Sequence, residues 1–156
     1  RVPVEIIFDR GVGDMFVVRV AGNVANAYQT GSVEFAVDHL GTPLLIVVGH
    51  TKCGAMAAVT LGADLRGNII PIGKAICPAV AAGTKDNPSA TGEALVNEAI
   101  RANVWQAIED LFRTSSIIAG MVQADKLKVE GVVYGVDTAS VTWMGPHPTQ
   151  KKLLSE

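Results

Sequence analysis

Residues 41–56 read GTPLLIVVGHTKCGAM, and this stretch decides the fold. Leu44 to Val48 form an unbroken apolar run between Pro43 and Gly49. Its lack of alternation marks a strand covered on both faces, the pattern of a parallel sheet lying under helices. His50 and Cys53 follow at the carboxyl end of that strand, where open α/β sheets collect their ligands. Gly49 is expected to permit a tight turn, and a helix starting at Gly54 would lower the Cys53 thiol pKa and favour the thiolate that a metal needs. The two side chains are candidate zinc ligands, although a catalytic zinc takes three protein ligands and an open position. His-x-x-Cys alone is a weak pattern, and buried free cysteines are common. The strand-end placement and the flanking glycines are what favour a metal here.

Working outward, DMFVVRVAG (14–22) is β-branched, ends at Gly22 and is expected to be a second strand. Between the two strands, Val33, Ala36, Val37 and Leu40 recur at helical spacing, with Thr30 or Ser32 placed to cap. That predicts an amphipathic helix in a right-handed crossover. GAMAAVTLGA (54–63) reads as a helix, and residues 62–90, with Pro71, Pro78, Pro88 and several glycines, read as a long connection. From Glu93 to Phe112 the residues Leu95, Ala99, Val104, Ile108, Leu111 and Phe112 share one side of a long helix, widened by Ile100 and Trp105. LKVEGVVYGVD and ASVTWMG then predict two strands joined by a turn near Asp137 and Thr138. The alternation makes an α/β fold with a mostly parallel sheet flanked by helices, in one domain spanning residues 1–156.

The chain has 156 residues, 49% hydrophobic and 18% charged, with a formal net charge of −2. That balance argues against disorder and against nucleic acid as a partner. No apolar run approaches the ~20 residues of a membrane helix, so a soluble chain without a membrane partner is expected. Cys53 and Cys77 allow at most one internal disulfide, which fits a reducing compartment. The opening RVPVEIIFD has no initiator methionine, and the expected location is cytoplasmic or organellar.

Other candidate groups read as structural. Cys77 stands between Ile76 and Pro78 in an apolar context that suits an inert thiol. His39 lies near a helix end, where the dipole favours a histidine, and His147 sits in a Pro-rich tail. GVGDMF begins like a dinucleotide fingerprint, but Phe16 replaces the third glycine and the segment precedes a strand, so nucleotide binding is rejected.

Three stretches taken in order, RVPVEIIFDRGVGDMFVVRVAGNV, GSVEFAVDHLGTPLLIVVGHTKCGA and VEGVVYGVDTASV, resemble the β-class carbonic anhydrases over most of the chain. The resemblance implies a Zn2+ held by cysteine, histidine and cysteine beside an aspartate and arginine pair. His50 and Cys53 match the second and third ligands, and Arg1 matches the arginine of a Cys-x-Asp-x-Arg motif. The first cysteine and the aspartate are then expected four and two residues before Arg1, in a segment that also forms a central strand of the family's sheet. The implied domain lacks this N-terminal segment.

The implied function is reversible hydration of carbon dioxide to bicarbonate and a proton, with zinc lowering the pKa of water from about 15.7 to near 7. The substrate would be a small molecule, with the Gly54 N–H meeting a substrate oxygen. The implied assembly is a homodimer or a multiple of dimers. Two alternatives stand beside it: hydrolysis of carbonyl sulfide or carbon disulfide at the same site, and a non-catalytic relative with an assembly or regulatory role. Where some members carry a glutamine, this sequence has Arg10 and Gly11, and Tyr28 reads as a half-buried loop residue, so neither position takes a substrate role.

Overall fold

The computed structural model describes residues 2–155. Leu44–His50 forms the expected strand, β1, and it pairs in parallel with β2 (Lys128–Gly135) from Leu44 opposite Lys128 to His50 opposite Tyr134. The chain turns near Asp137 and Thr138, as expected, and β3 (Ser140–Gly145) returns antiparallel to β2. Strand order is β1-β2-β3, so β1 is an edge among the described residues.

The helices in chain order are α1 (Val4–Ile7), α2 (Ala27–Glu34), α3 (Gly54–Thr60), α4 (Ile70–Asp86), α5 (Gly92–Thr114), α6 (Ser116–Gln123) and α7 (Gln150–Leu153). The long α5 supplies the centre of the core. Its Ile100, Val104 and Ile108 are buried, and each such side chain contributes about 1.5–3 kcal/mol through removal from water. The helix lies close on the sheet because β1 and β2 offer it glycines. A Cβ on Gly49 would stand 2.7 Å from Val104 Cγ2, and one on Gly131 would stand 2.7 Å from Val104 Cγ1. Gly49 therefore serves close packing inside the strand, and not the tight turn expected from the sequence.

Other expectations are corrected as well. The helix carrying Val33, Ala36 and Val37 begins earlier, where the Asn26 side chain accepts from the Tyr28 N–H at 3.2 Å; Thr30 is buried inside the helix and does not cap it. That helix ends in a π-turn at Phe35–His39, and the wider turn leaves Leu40 exposed. Tyr28 is exposed on α2 and is no half-buried loop residue.

The stretch read as a connection contains α4, a helix of 17 residues with Pro71 in its first turn and Pro78 inside it. Its glycines mark contact rather than looseness: a Cβ on Gly83 would meet the Ala99 backbone nitrogen at 2.8 Å. Its buried face, Gly73, Ile76, Ala79 and Gly83, packs on α5 and α3.

Residues 14–22 do not form a strand. Residues 15–20 belong to no helix or strand; Val20 is extended at φ −143° and ψ 153°, but the segment pairs with no strand among the described residues. A slot of 1150 Å³ is lined by residues of both this segment and β1, among them Val18, Val20, Leu45 and Val47. The segment has the strand propensity its sequence advertises and lacks a neighbour to make a ladder. It ends at Gly22, whose φ of 73° allows the chain to turn toward α2. Asn103 of α5 ties down that turn by donating to the Gly22 carbonyl at 2.8 Å.

Candidate metal centre

His50 closes β1 and Cys53 caps α3, with two residues between them to reverse the chain. Thr51 prolongs the β1–β2 ladder, its N–H donating to the Tyr134 carbonyl at 2.9 Å. Lys52 takes a left-handed backbone, φ 55°, an uncommon conformation for a residue with a Cβ. That turn sets the two candidate ligands side by side. Both are half-buried and both line the mouth of the slot beside β1.

Their electrostatics are mutual. The hydrogen bond with Cys53 raises the His50 pKa most; burial opposes it, and the Thr51 carbonyl and the Cys53 charge add to the rise. For Cys53, burial pushes the thiol up, but the His50 hydrogen bond, the Met56 N–H, the His50 charge and the Ala55 N–H together bring it below its usual value. The imidazole is thus the main cause of the lowering, and the start of α3 adds the expected part through two identifiable amides. His50 Nδ1 lies 2.8 Å from the Thr51 carbonyl oxygen, which selects the tautomer protonated there and leaves Nε2 as the nitrogen that meets Cys53 and would serve a metal. A metal-binding histidine usually has such an outer hydrogen bond.

A thiol whose pKa is lowered and an oriented imidazole beside it fit two places around a zinc ion. Among the described residues no group of three or more His, Cys, Asp or Glu side chains is placed to hold a metal. Arg1 lies outside the described residues. Gly54 is exposed as the first residue of α3, with open space where a side chain would point.

The other sequence candidates fall elsewhere. Cys77 is exposed on α4, and its apolar sequence neighbours do not enclose it. His39 is exposed and stacks on Phe35, with ring centroids 5.1 Å apart. His147 is 7% exposed, lies 3.2 Å from a Glu109 carboxylate oxygen and meets the Trp105 ring edge-on. It belongs to the packing of the C-terminal segment on α5, which its Pro-rich neighbours did not signal. Sequence reasoning missed Asn103, which looks like any polar residue of a helix until its bond to Gly22 is seen.

A sequence profile of the carbonic anhydrase family matches residues 1–141. The chain belongs to the β-carbonic anhydrase family. It is 38% identical over 141 residues to carbonic anhydrase 2 of Mycobacterium tuberculosis, covering 88% of this chain and 66% of the relative. With the carbonic anhydrase of Mycolicibacterium smegmatis it shares 36% identity over 138 residues, covering 86% and 65%. The chain thus spans just under two thirds of the length of these curated relatives.

Among solved structures, the β-carbonic anhydrase CafA of Aspergillus fumigatus superposes with a TM-score of 0.85 at 26% identity, covering 98% of this chain and 76% of that one. One of two tetrameric β-carbonic anhydrases of Sordaria macrospora shares the fold, with a TM-score of 0.82 at 22% identity over 92% of this chain and 74% of that one. These likenesses agree with the α/β architecture and with the family resemblance read from the sequence.

Proposed function

We infer that this β-carbonic anhydrase interconverts carbon dioxide and bicarbonate at a zinc ion held in part by His50 and Cys53. The observation that carries the reading is the His50–Cys53 contact at the end of β1, with the imidazole oriented by the Thr51 carbonyl and the thiol pKa lowered. Zinc, when bound, supplies a Lewis acid able to make a nucleophile of water at neutral pH. The chain's own residues do the rest. His50 presents Nε2 in one fixed orientation, and Met56 and Ala55 stabilise negative charge on the Cys53 sulfur. The Gly54 N–H is proposed to meet a substrate oxygen. Arg1 is proposed to hold a carboxylate from an upstream segment, keeping it ionised and aimed at the reacting centre as a bidentate guanidinium can. The same upstream segment is proposed to fill the slot beside β1, bringing the remaining ligand with it.

A homodimer or multiple of dimers belongs to this proposal. Phe16 and Phe35, with ring centroids 6.3 Å apart and both exposed, offer an apolar surface that suits a second copy.

A non-catalytic relative with an assembly or regulatory role is the second reading. Metal analysis of the protein encoded by the complete reading frame, with a carbon dioxide hydration assay on the same sample, separates the readings. One zinc per chain, lost in His50→Ala and in Cys53→Ser together with turnover, supports catalysis. Zinc retained in both variants would sink the assignment.

A further inference from the structure

The loop between the two candidate ligands is held by the adjoining end of β2 and the turn that follows it. Beyond the last registered pair, His50 with Tyr134, three contacts join residues 51–52 to the start of the β2–β3 turn. The Thr51 N–H donates to the Tyr134 carbonyl at 2.9 Å, and the Val136 N–H donates to Thr51 Oγ1 at 2.9 Å. Lys52 Nζ donates to the Asp137 carboxylate at 2.7 Å. The turn is itself braced: the Thr138 and Ser140 hydroxyls lie 2.6 Å apart in a hydrogen bond.

Lys52 is the residue whose backbone must be left-handed, and a lysine adopts φ 55° only where its surroundings over-determine it. Glycine would take that conformation freely, yet glycine has no ammonium group with which to reach Asp137. The sequence thus accepts a strained residue in return for a tether. Lys52 and Asp137 are 53% and 62% exposed, so the pair adds little to overall stability. Its position, between the two ligands, is where a small displacement matters most.

We propose that Thr51, Lys52 and Asp137 are positioning residues that fix the His50–Cys53 spacing by clamping the ligand loop to the β2–β3 turn. None of the three is one of the candidate ligands. The proposal rests on the zinc reading for its consequence, but the clamp itself is a property of the metal-free chain.

Two mechanisms make opposite predictions for Lys52→Met. If Lys52 acted only through its field, removing a cation beside a cation site would tighten zinc binding. Loss of the clamp weakens it instead, by about tenfold, the lower end of what outer-contact changes cost metal sites. Asp137→Asn should weaken binding to the same extent, and the double variant should be no worse than either single one, because both remove one contact. Lys52→Arg should bind nearly as wild type. Lys52→Gly, relieved of strain but untethered, should behave like Lys52→Met.

The measurement is competition for zinc against a chromophoric chelator, using the protein encoded by the complete reading frame. The cobalt–thiolate absorption band of the same variants reports ligand geometry directly. In parallel, hydrogen exchange of the metal-free protein should show faster exchange of amides 51–54 in Lys52→Met and Asp137→Asn, with the rest of the protein unchanged. Tighter or unaltered zinc binding in Lys52→Met, or additive losses in the double variant, would overturn the proposal. If wild type takes up no zinc, the functional reading fails while exchange at 51–54 still judges the clamp: faster exchange upholds it, and unaltered exchange overturns it.

Discussion

Gly49 and Val104 meet so closely that a Cβ on the glycine would stand 2.7 Å from Val104 Cγ2, with Ile100 Cγ2 at 3.2 Å. Both neighbours belong to the buried face of α5, so neither side chain can swing into solvent. Gly49→Ala should cost about 1–3 kcal/mol of stability, as overpacking of a filled core does. It should also displace His50, the next residue, and lower zinc affinity. Val104→Ala in the same chain should recover part of the stability, and a double-mutant cycle by thermal melting tests this. Simple additivity of the two changes would show that the contact is not the cause.

The two thiols should respond differently to an alkylating reagent. Cys77 is exposed, whereas Cys53 is half-buried and its thiol pKa is lowered. Exposure and thiolate character each favour reaction, so both cysteines should label in metal-free protein. Zinc should protect Cys53 and leave Cys77 labelled. Cys77→Ser should leave zinc content unchanged, and mass spectrometry of the peptides reads both outcomes.

Gly83→Ala tests the α4–α5 contact. In an exposed helix interior this change would gain about 1 kcal/mol from helix propensity. Here the new Cβ would lie 2.8 Å from the Ala99 nitrogen and 2.9 Å from the Glu98 carbonyl carbon, both backbone atoms that cannot rotate away. The expected result is a net loss of about 1–3 kcal/mol. A higher melting temperature than wild type would contradict the tight approach of these helices.

What was legible in the sequence follows from this kind of contact. An unbroken apolar run needs no partner to be recognised, so β1 and the His50–Cys53 pair at its end were readable directly. The same holds for α5, whose stripe repeats over many turns. Reading residues 62–90 as a connection fails over α4 because the side of that helix that packs is marked by Gly73 and Gly83, and glycine signals flexibility until the neighbouring backbone is in view. The segment 15–20 failed in the opposite way: its residues suit a strand, but pairing is a property of two segments. Lys52 and Asp137 are 85 residues apart, and nothing local to either announces the other.

His147 supplies a pH dependence. Burial lowers its pKa most, while the charge of Glu109 and the hydrogen bond to it oppose that effect and Arg113 adds to it. Its folded pKa lies below the unfolded value of about 6.5. The unfolded chain therefore binds more protons in that window, and stability falls as the pH drops through 6.5 toward the folded pKa. The difference in melting temperature between wild type and His147→Gln should shrink as the pH falls from 7.5 to 5.5. Taking the difference cancels the other titrating groups, among them Asp110, whose raised pKa acts at lower pH and with the opposite sign. A difference that is flat across this range would show that His147 titrates as it does in the unfolded chain.

Among the described residues β1 pairs on one side only, and its residues Leu44 to His50 include no lysine, proline, aspartate or glutamate to discourage pairing on the other. Whenever the adjoining slot is vacant, the strand is a template of high β propensity and low charge. Loss of protein from solution should then be of higher than first order in protein concentration, since the event is strand addition between molecules. Short peptides of β-strand character added in excess should slow it by occupying the edge. The strand that carries His50 would in that circumstance act as the seed of a precipitate, which ties the shelf life of the protein to what lies against one edge of one strand.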